Sequence, residues 1–109
     1  MFKPLASLIG GAILAVALEA HAAPAPLTIK IDNFTFSPPD LVIPAGTTVT
    51  WVNEDDVPHT AVADDHKTFR SKPMDTDDKF SFTFAAPGTY PYFCSIHPKM
   101  TAKIIVKAS

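Results

Sequence analysis

The feature that most restricts the fold of this chain is a two-residue rhythm of apolar and polar side chains, held in short runs that turn residues interrupt. Leu27, Ile29 and Ile31 alternate with Thr28, Lys30 and Asp32, and Phe80, Phe82 and Phe84 alternate with Ser81 and Thr83. A strand points successive side chains to opposite faces, so each run predicts a strand with one buried face. Phe34-Thr35-Phe36 reads as a continuation of the first strand before Ser37-Pro38-Pro39-Asp40 turns the chain. Further strands are expected at Leu41–Ile43, at Thr47–Asn53 with Val49 and Trp51 inward, at Pro58–Ala63, at Tyr90–Cys94 and at Thr101–Lys107. Pro91 donates no hydrogen bond, so it must face an edge or a bulge. No segment has helical periodicity, and parallel neighbours would need helical crossovers. The expectation is an all-β, antiparallel β-sandwich of about seven or eight strands.

Two stretches depart from the rhythm. Asp64 to Lys79 is polar and mixes both charge signs, which reads as a solvated loop, with Phe69 and Met74 folding down onto the core. At the other end, Lys3 precedes an apolar run from Leu8 to Leu18, and Ala20-His21-Ala22 offers a small-residue cleavage site. That pattern predicts a secretory signal peptide over residues 1–22, leaving residues 23–109 as one domain in the periplasm. The run is shorter than the roughly 20 apolar residues that a spanning helix needs, so no stable membrane insertion is expected. The net charge is −2, and losing Lys3 together with Glu19 leaves it unchanged. Nothing in it suggests a nucleic-acid partner. The domain is expected to be a monomer.

The chemistry concentrates near the C-terminus. Cys94, His97 and Met100 stand at the spacing Cys-x-x-His-x-x-Met, and Cys94 is the only cysteine. An isolated cysteine is more often a small buried hydrophobe than a ligand. With 4 His and 3 Met in 109 residues, however, finding both at these offsets by chance is a matter of about one in a thousand. Thiolate, imidazole and a weak thioether form the donor set of electron-transfer copper, which takes one further histidine, and His59 at a strand start is placed to supply it. Other metal chemistries fail on the residues present. Structural zinc sites and Rieske centres need more cysteines, and covalent haem needs Cys-x-x-Cys-His. Asp75-Thr76-Asp77-Asp78 lacks the glycine and the final glutamate of a calcium loop. His66 has no motif around it and is expected in solvent.

Taken together, Asn33-Phe34-Thr35-Phe36-Ser37-Pro38, Pro44-Ala45-Gly46, Val49-Thr50-Trp51, Pro58-His59, Pro87-Gly88-Thr89-Tyr90 and the Cys94–Met100 loop resemble the cupredoxins, the small blue copper proteins. The likeness runs from about Leu27 to Lys107, and the short loop is most similar to the amicyanin branch, with plastocyanin and pseudoazurin next to it. The resemblance implies a Greek-key sandwich holding one copper ion, Cu(I) or Cu(II), on His59, Cys94, His97 and the axial Met100. It also implies a one-electron carrier rather than an enzyme. The alternative is a periplasmic copper-binding carrier or sequestering protein with the same ligands.

In such a carrier the His97 imidazole edge is expected to reach the surface among apolar residues, here Ile96 and Pro98. Lys99 at the rim favours an acidic partner. The partners expected are transient redox proteins, a c-type cytochrome, a dehydrogenase or an oxidase. Two positions depart from the family pattern: Thr60 stands where an asparagine often ties the two ligand-bearing segments, and Ala102 stands where a glycine often follows the loop.

Overall fold

The computed structural model describes residues 22–109. Apart from Ala22, the expected signal peptide falls outside the described residues. Eight strands form: β1 (Leu27–Asp32), β2 (Thr35–Ser37), β3 (Asp40–Pro44), β4 (Thr47–Asn53), β5 (Val62–Ala63), β6 (Lys79–Phe84), β7 (Gly88–Phe93) and β8 (Thr101–Lys107). They make two four-stranded sheets, ordered β2-β1-β4-β6 and β3-β8-β7-β5. The chain is thus the all-β sandwich that the alternation implies.

The expectation of purely antiparallel sheets requires correction. β1 pairs parallel with β4, and β3 pairs parallel with β8. The premise that parallel neighbours need a helix fails because another strand serves as the crossover. After β2 the chain passes into the opposite sheet as β3 and returns as β4, which brings β4 beside β1 in the same direction.

A second correction concerns Phe34. The chain does not run straight on from β1; it reverses at Asn33 and Phe34 so that β2 pairs antiparallel with β1. Asn33 and Phe34 have φ of 51° and 59°, the pair of positive values that a tight two-residue hairpin requires. Asparagine tolerates this region, whereas a bulky phenylalanine there is a genuine outlier. Pro58–Ala63 is likewise less regular than expected: only Val62 and Ala63 pair as a strand, and His59 forms an isolated bridge with Met74.

The alternation elsewhere does what it predicts. On β4, Val49 and Trp51 are fully buried, and on β6 the three phenylalanines face the core, Phe84 fully and its neighbours in part. The outward Thr48 and Thr50 hydroxyls bond Thr83 and Ser81 across the β4–β6 pair, each at 2.7 Å. Pro91 turns its carbonyl to the Asp64 N–H, on the side of the two-residue edge strand β5, where no N–H is demanded of it. Phe69 comes down from the polar loop and stacks on Trp51 with ring centroids 5.2 Å apart. Met74 is buried beside it in the same core.

The turn that aims Phe69 is built by Asp65. Its carboxylate accepts from the N–H groups of Lys67 (2.8 Å) and Thr68 (2.9 Å) and from the Thr68 hydroxyl. The Thr68 hydroxyl first, then these N–H groups, hold the carboxyl at about 2, below the ordinary 3.8. A depressed folded-state pKa stabilises the fold above the unfolded value and loses that contribution as pH falls through the folded one. Asp65→Ala should therefore lower the melting temperature at pH 7, with the difference from wild type shrinking between about pH 4 and pH 2. Phe69→Ala, which removes the anchor itself, should cost about 3–5 kcal/mol in urea unfolding.

Candidate metal centre

Three segments meet at one end of the sandwich: the β1–β2 turn, the loop from β4 toward β5, and the β7–β8 loop. β7 carries Tyr92 inward, and the same face continues to Cys94, which is fully buried. The loop after it closes on itself. The Cys94 N–H donates to the Met100 carbonyl (3.0 Å), the His97 N–H to the Cys94 carbonyl (3.2 Å) and the Met100 N–H to the His97 carbonyl (2.9 Å). Seven residues therefore form a compact knot that presents Cys94, His97 and Met100 together. Met100 is 7% exposed.

His59 reaches this knot from the other loop. Its backbone exchanges two hydrogen bonds with Met74, at 3.1 and 2.8 Å, and its side chain is wholly buried. The ring Nε2 lies 2.9 Å from the Asp55 carboxylate, so in the neutral ring the proton sits on Nε2 and the lone pair of Nδ1 is free. Nδ1 faces the Cys94 sulfur at 3.7 Å. Two donors that share one transition-metal ion at about 2.3 Å for sulfur and about 2.0 Å for nitrogen, near the tetrahedral angle, lie about 3.5 Å apart. The His59–Cys94 pair has the separation of two ligands, and it is too long for a strong hydrogen bond.

The surroundings of the sulfur favour its anion over what a free thiol would show. Burial pushes the Cys94 thiol up, but the N–H groups of Thr60 (3.3 Å), His97 and Ile96 together pull it below its ordinary range. A thiolate is the form that binds metals. Asp55 is lowered to about 2, first by its bond to His59 and then by the N–H of Phe34, which donates to the same oxygen at 3.0 Å. One carboxylate thus orients the histidine and pins the strained hairpin turn.

His97 differs from expectation. Its ring stands 5.0 Å from that of His59, between centroids, and 4.9 Å from that of Phe34. His97 is only partly exposed, and its Nε2 is buried with no hydrogen-bond partner. The ring lines a surface hollow with Ile96 and Pro98, as expected, but its Nε2 is covered, and Phe34, itself 50% exposed, packs edge-on against both histidines. Among the described residues, no three His, Cys, Asp or Glu side chains already cage a point by themselves. His59 Nδ1 and Cys94 Sγ stand 3.7 Å apart, the His97 ring lies 5.0 Å from that of His59, and Met100 is tied to Cys94 and His97 through its backbone. His66 is exposed against Phe93, outside this cluster.

Thr60 replaces the absent asparagine effectively. Its hydroxyl accepts from the Ser95 N–H at 2.7 Å and bonds the Ser95 hydroxyl at 2.8 Å, tying the His59 segment to the Cys94 loop. Sequence reasoning missed Asp55, Phe34 and Asn53. Asn33-Phe34 as a hairpin turn and Asp55 four residues before His59 were the available signals.

A family model for a cupredoxin-like domain matches residues 5–106. Amicyanin-alpha of Methylorubrum extorquens is 35% identical over 97% of this chain and 90% of its own length. A purple cupredoxin from Nitrosopumilus maritimus superimposes with a TM-score of 0.69 at 38% identity, covering 73% of this chain and 98% of its own. A copper-containing nitrite reductase from Thermus scotoductus gives 0.72 at 37%, covering 84% of this chain but 25% of its own.

The Thr60 tie is testable without metal. Thr60→Val keeps the shape and removes the acceptor of a partly buried N–H, so urea unfolding should show a loss of about 1–3 kcal/mol, and Thr60→Ser should retain most of the stability.

Proposed function

The chain belongs to the cupredoxin-like family, and from that premise we propose that it is a periplasmic one-electron carrier with a single copper ion. His59, Cys94, His97 and Met100 would hold the ion. When bound, copper supplies reversible exchange of one electron between Cu(I) and Cu(II). The observation that carries this reading is the His59 Nδ1–Cys94 Sγ separation of 3.7 Å, together with the N–H groups that lower the Cys94 thiol.

The chain's own residues account for the remaining requirements. Asp55 holds the His59 proton on Nε2 and keeps Nδ1 free to coordinate. The Thr60, Ile96 and His97 N–H groups stabilise negative charge on sulfur. Thr60 and Ser95 lock the two segments in one geometry, which limits rearrangement as charge changes. Phe34 excludes water from the histidine rings, and Ile96 and Pro98 extend an apolar contact surface around them. Residues 1–22 serve as the signal peptide that delivers residues 23–109 to the periplasm. Transient partners, a c-type cytochrome, a dehydrogenase or an oxidase, would dock on this end; redox encounters of this kind bury small interfaces.

Burial favours the electron carrier over a copper-delivery or sequestering protein. His59 and Cys94 are wholly buried and Met100 is nearly so, whereas a protein that hands on its metal needs exposed, exchangeable ligands. A carrier also fits better than an enzyme, because the nitrite reductase that this fold resembles matches over only a quarter of its length.

Adding Cu(II) to residues 23–109 should produce an intense visible thiolate-to-copper band, blue or purple, with reversible one-electron voltammetry. Cys94→Ser should abolish the band while circular dichroism stays that of a β-sandwich. A colourless wild-type protein overturns the reading, as does an unchanged band in the serine variant.

A further inference from the structure

The polar stretch between β5 and β6 reads from sequence as a solvated loop, but the fold gives part of it a fixed place beside the site. Arg70 to Met74 is laced against His59 to Val62. The Ser71 N–H donates to the Ala61 carbonyl at 2.9 Å, the Ala61 N–H donates to the Ser71 hydroxyl at 2.9 Å, and His59 and Met74 exchange their two backbone bonds. Arg70 and Lys72 therefore project from a segment tied to a proposed ligand.

These cations line a groove together with Thr60, Ser95 and Ile96. Ile96, 43% exposed, is also one wall of the apolar hollow formed by Phe34, His97, Pro98, Lys99 and Met100. The hollow and the groove form one surface with Ile96 at the saddle. It carries Arg70, Lys72 and Lys99, and among the described residues no Asp or Glu lines either part.

This concentration of cations runs against the net charge of −2. Carboxylates border this surface: Asp78 shares a neighbouring hollow with Arg70, Lys72 and Lys79, and the loop Glu54–Asp56 and the run Asp75–Asp78 are held side by side by the Thr76 hydroxyl on the Asp55 carbonyl (2.7 Å) and the Asp77 N–H on the Asn53 carbonyl (2.7 Å).

We propose that this continuous surface is the docking face for an acidic electron-transfer protein. Its carboxylates would lie over Arg70 and Lys72, and its apolar contact would seat on Ile96 and the hollow. The proposal rests on the carrier reading above. Charge complementarity would act mainly on the rate of encounter and on orientation. It would align the partner so that the electron enters or leaves next to His97.

Ferricyanide, a trivalent anion and one-electron oxidant, probes the surface by stopped flow. The reduced, copper-loaded protein gives up one electron, ferricyanide becomes ferrocyanide, and no bond or proton changes hands. Net charge alone predicts repulsion and a rate that rises with salt. The docking face predicts the opposite, a several-fold fall between about 0.01 M and about 0.15 M ionic strength, where the Debye length shrinks from about 30 Å to about 8 Å. Lys72→Glu should lower the low-salt rate several-fold, and adding Arg70→Glu should reverse the salt dependence. Lys107→Glu makes the same change in net charge at the opposite end of β8, where Lys107 pairs with Pro44, and should have little effect.

In the Cu(I) protein, the paramagnetic anion hexacyanochromate(III) should broaden the amide signals of residues 70–72 and 95–99 before all others. A wild-type rate that rises with salt, equal effects of Lys72→Glu and Lys107→Glu, or broadening centred elsewhere overturns the docking face while leaving the carrier intact. A protein that binds no copper overturns both.

Discussion

Asn53 closes β4 with its side chain fully buried and all of its hydrogen-bonding groups engaged. Its Nδ2 donates to the carbonyls of Val57 (2.9 Å) and Met74 (2.8 Å), and its Oδ1 accepts from the Asp55 N–H (2.9 Å). Its backbone bonds Asp78 and Asp77. One amide therefore sets the curl of the loop carrying Asp55 and His59 and fixes the segment that runs beneath it. A buried amide left unpaired costs about 1–3 kcal/mol per group, so the alternatives to this loop shape are expensive. Asp55 and Phe34 follow from it: the carboxylate can meet both His59 Nε2 and the Phe34 N–H only because Asn53 has turned Asp55 inward.

The strained hairpin is intelligible on the same terms. Phe34 adopts a positive φ that its side chain disfavours, and such strain persists where surrounding contacts over-determine it. Here they are the bond to Asp55 and the edge-on packing against two histidines. The residue that shields the site is thus held by the carboxylate that orients one of its proposed ligands, and neither can shift without the other.

How far the sequence could be read depended on the range of each interaction. Cys94, His97 and Met100 are legible because their spacing is local, and the core faces of β4 and β6 are legible because alternation is local. His59 could be found from its neighbour Pro58 and the donor set it completes. Asn53 could not, since an amide at the end of a strand carries no sign of the distant groups it will meet, and Asp55 offered only its place four residues before His59. The parallel pairings were missed for a related reason: alternation shows which face of a strand is buried, but nothing about its direction or neighbour. Thr60 was visible as a departure, yet only its contact with Ser95 reveals that a hydroxyl can do the work of an amide.

The pairing of β3 with β8 has a consequence for the order of events in folding. Among the described residues, 40–44 find their only sheet partner in residues 103–107, so this sheet cannot close while β8 is missing. Contacts so far apart in sequence slow the search for the native state, because loop closure must precede the gain from pairing. The late-docking β8 also follows directly on Met100, whose carbonyl accepts from the Cys94 N–H, so closure of this sheet and closure of the Cys94–Met100 loop are one event.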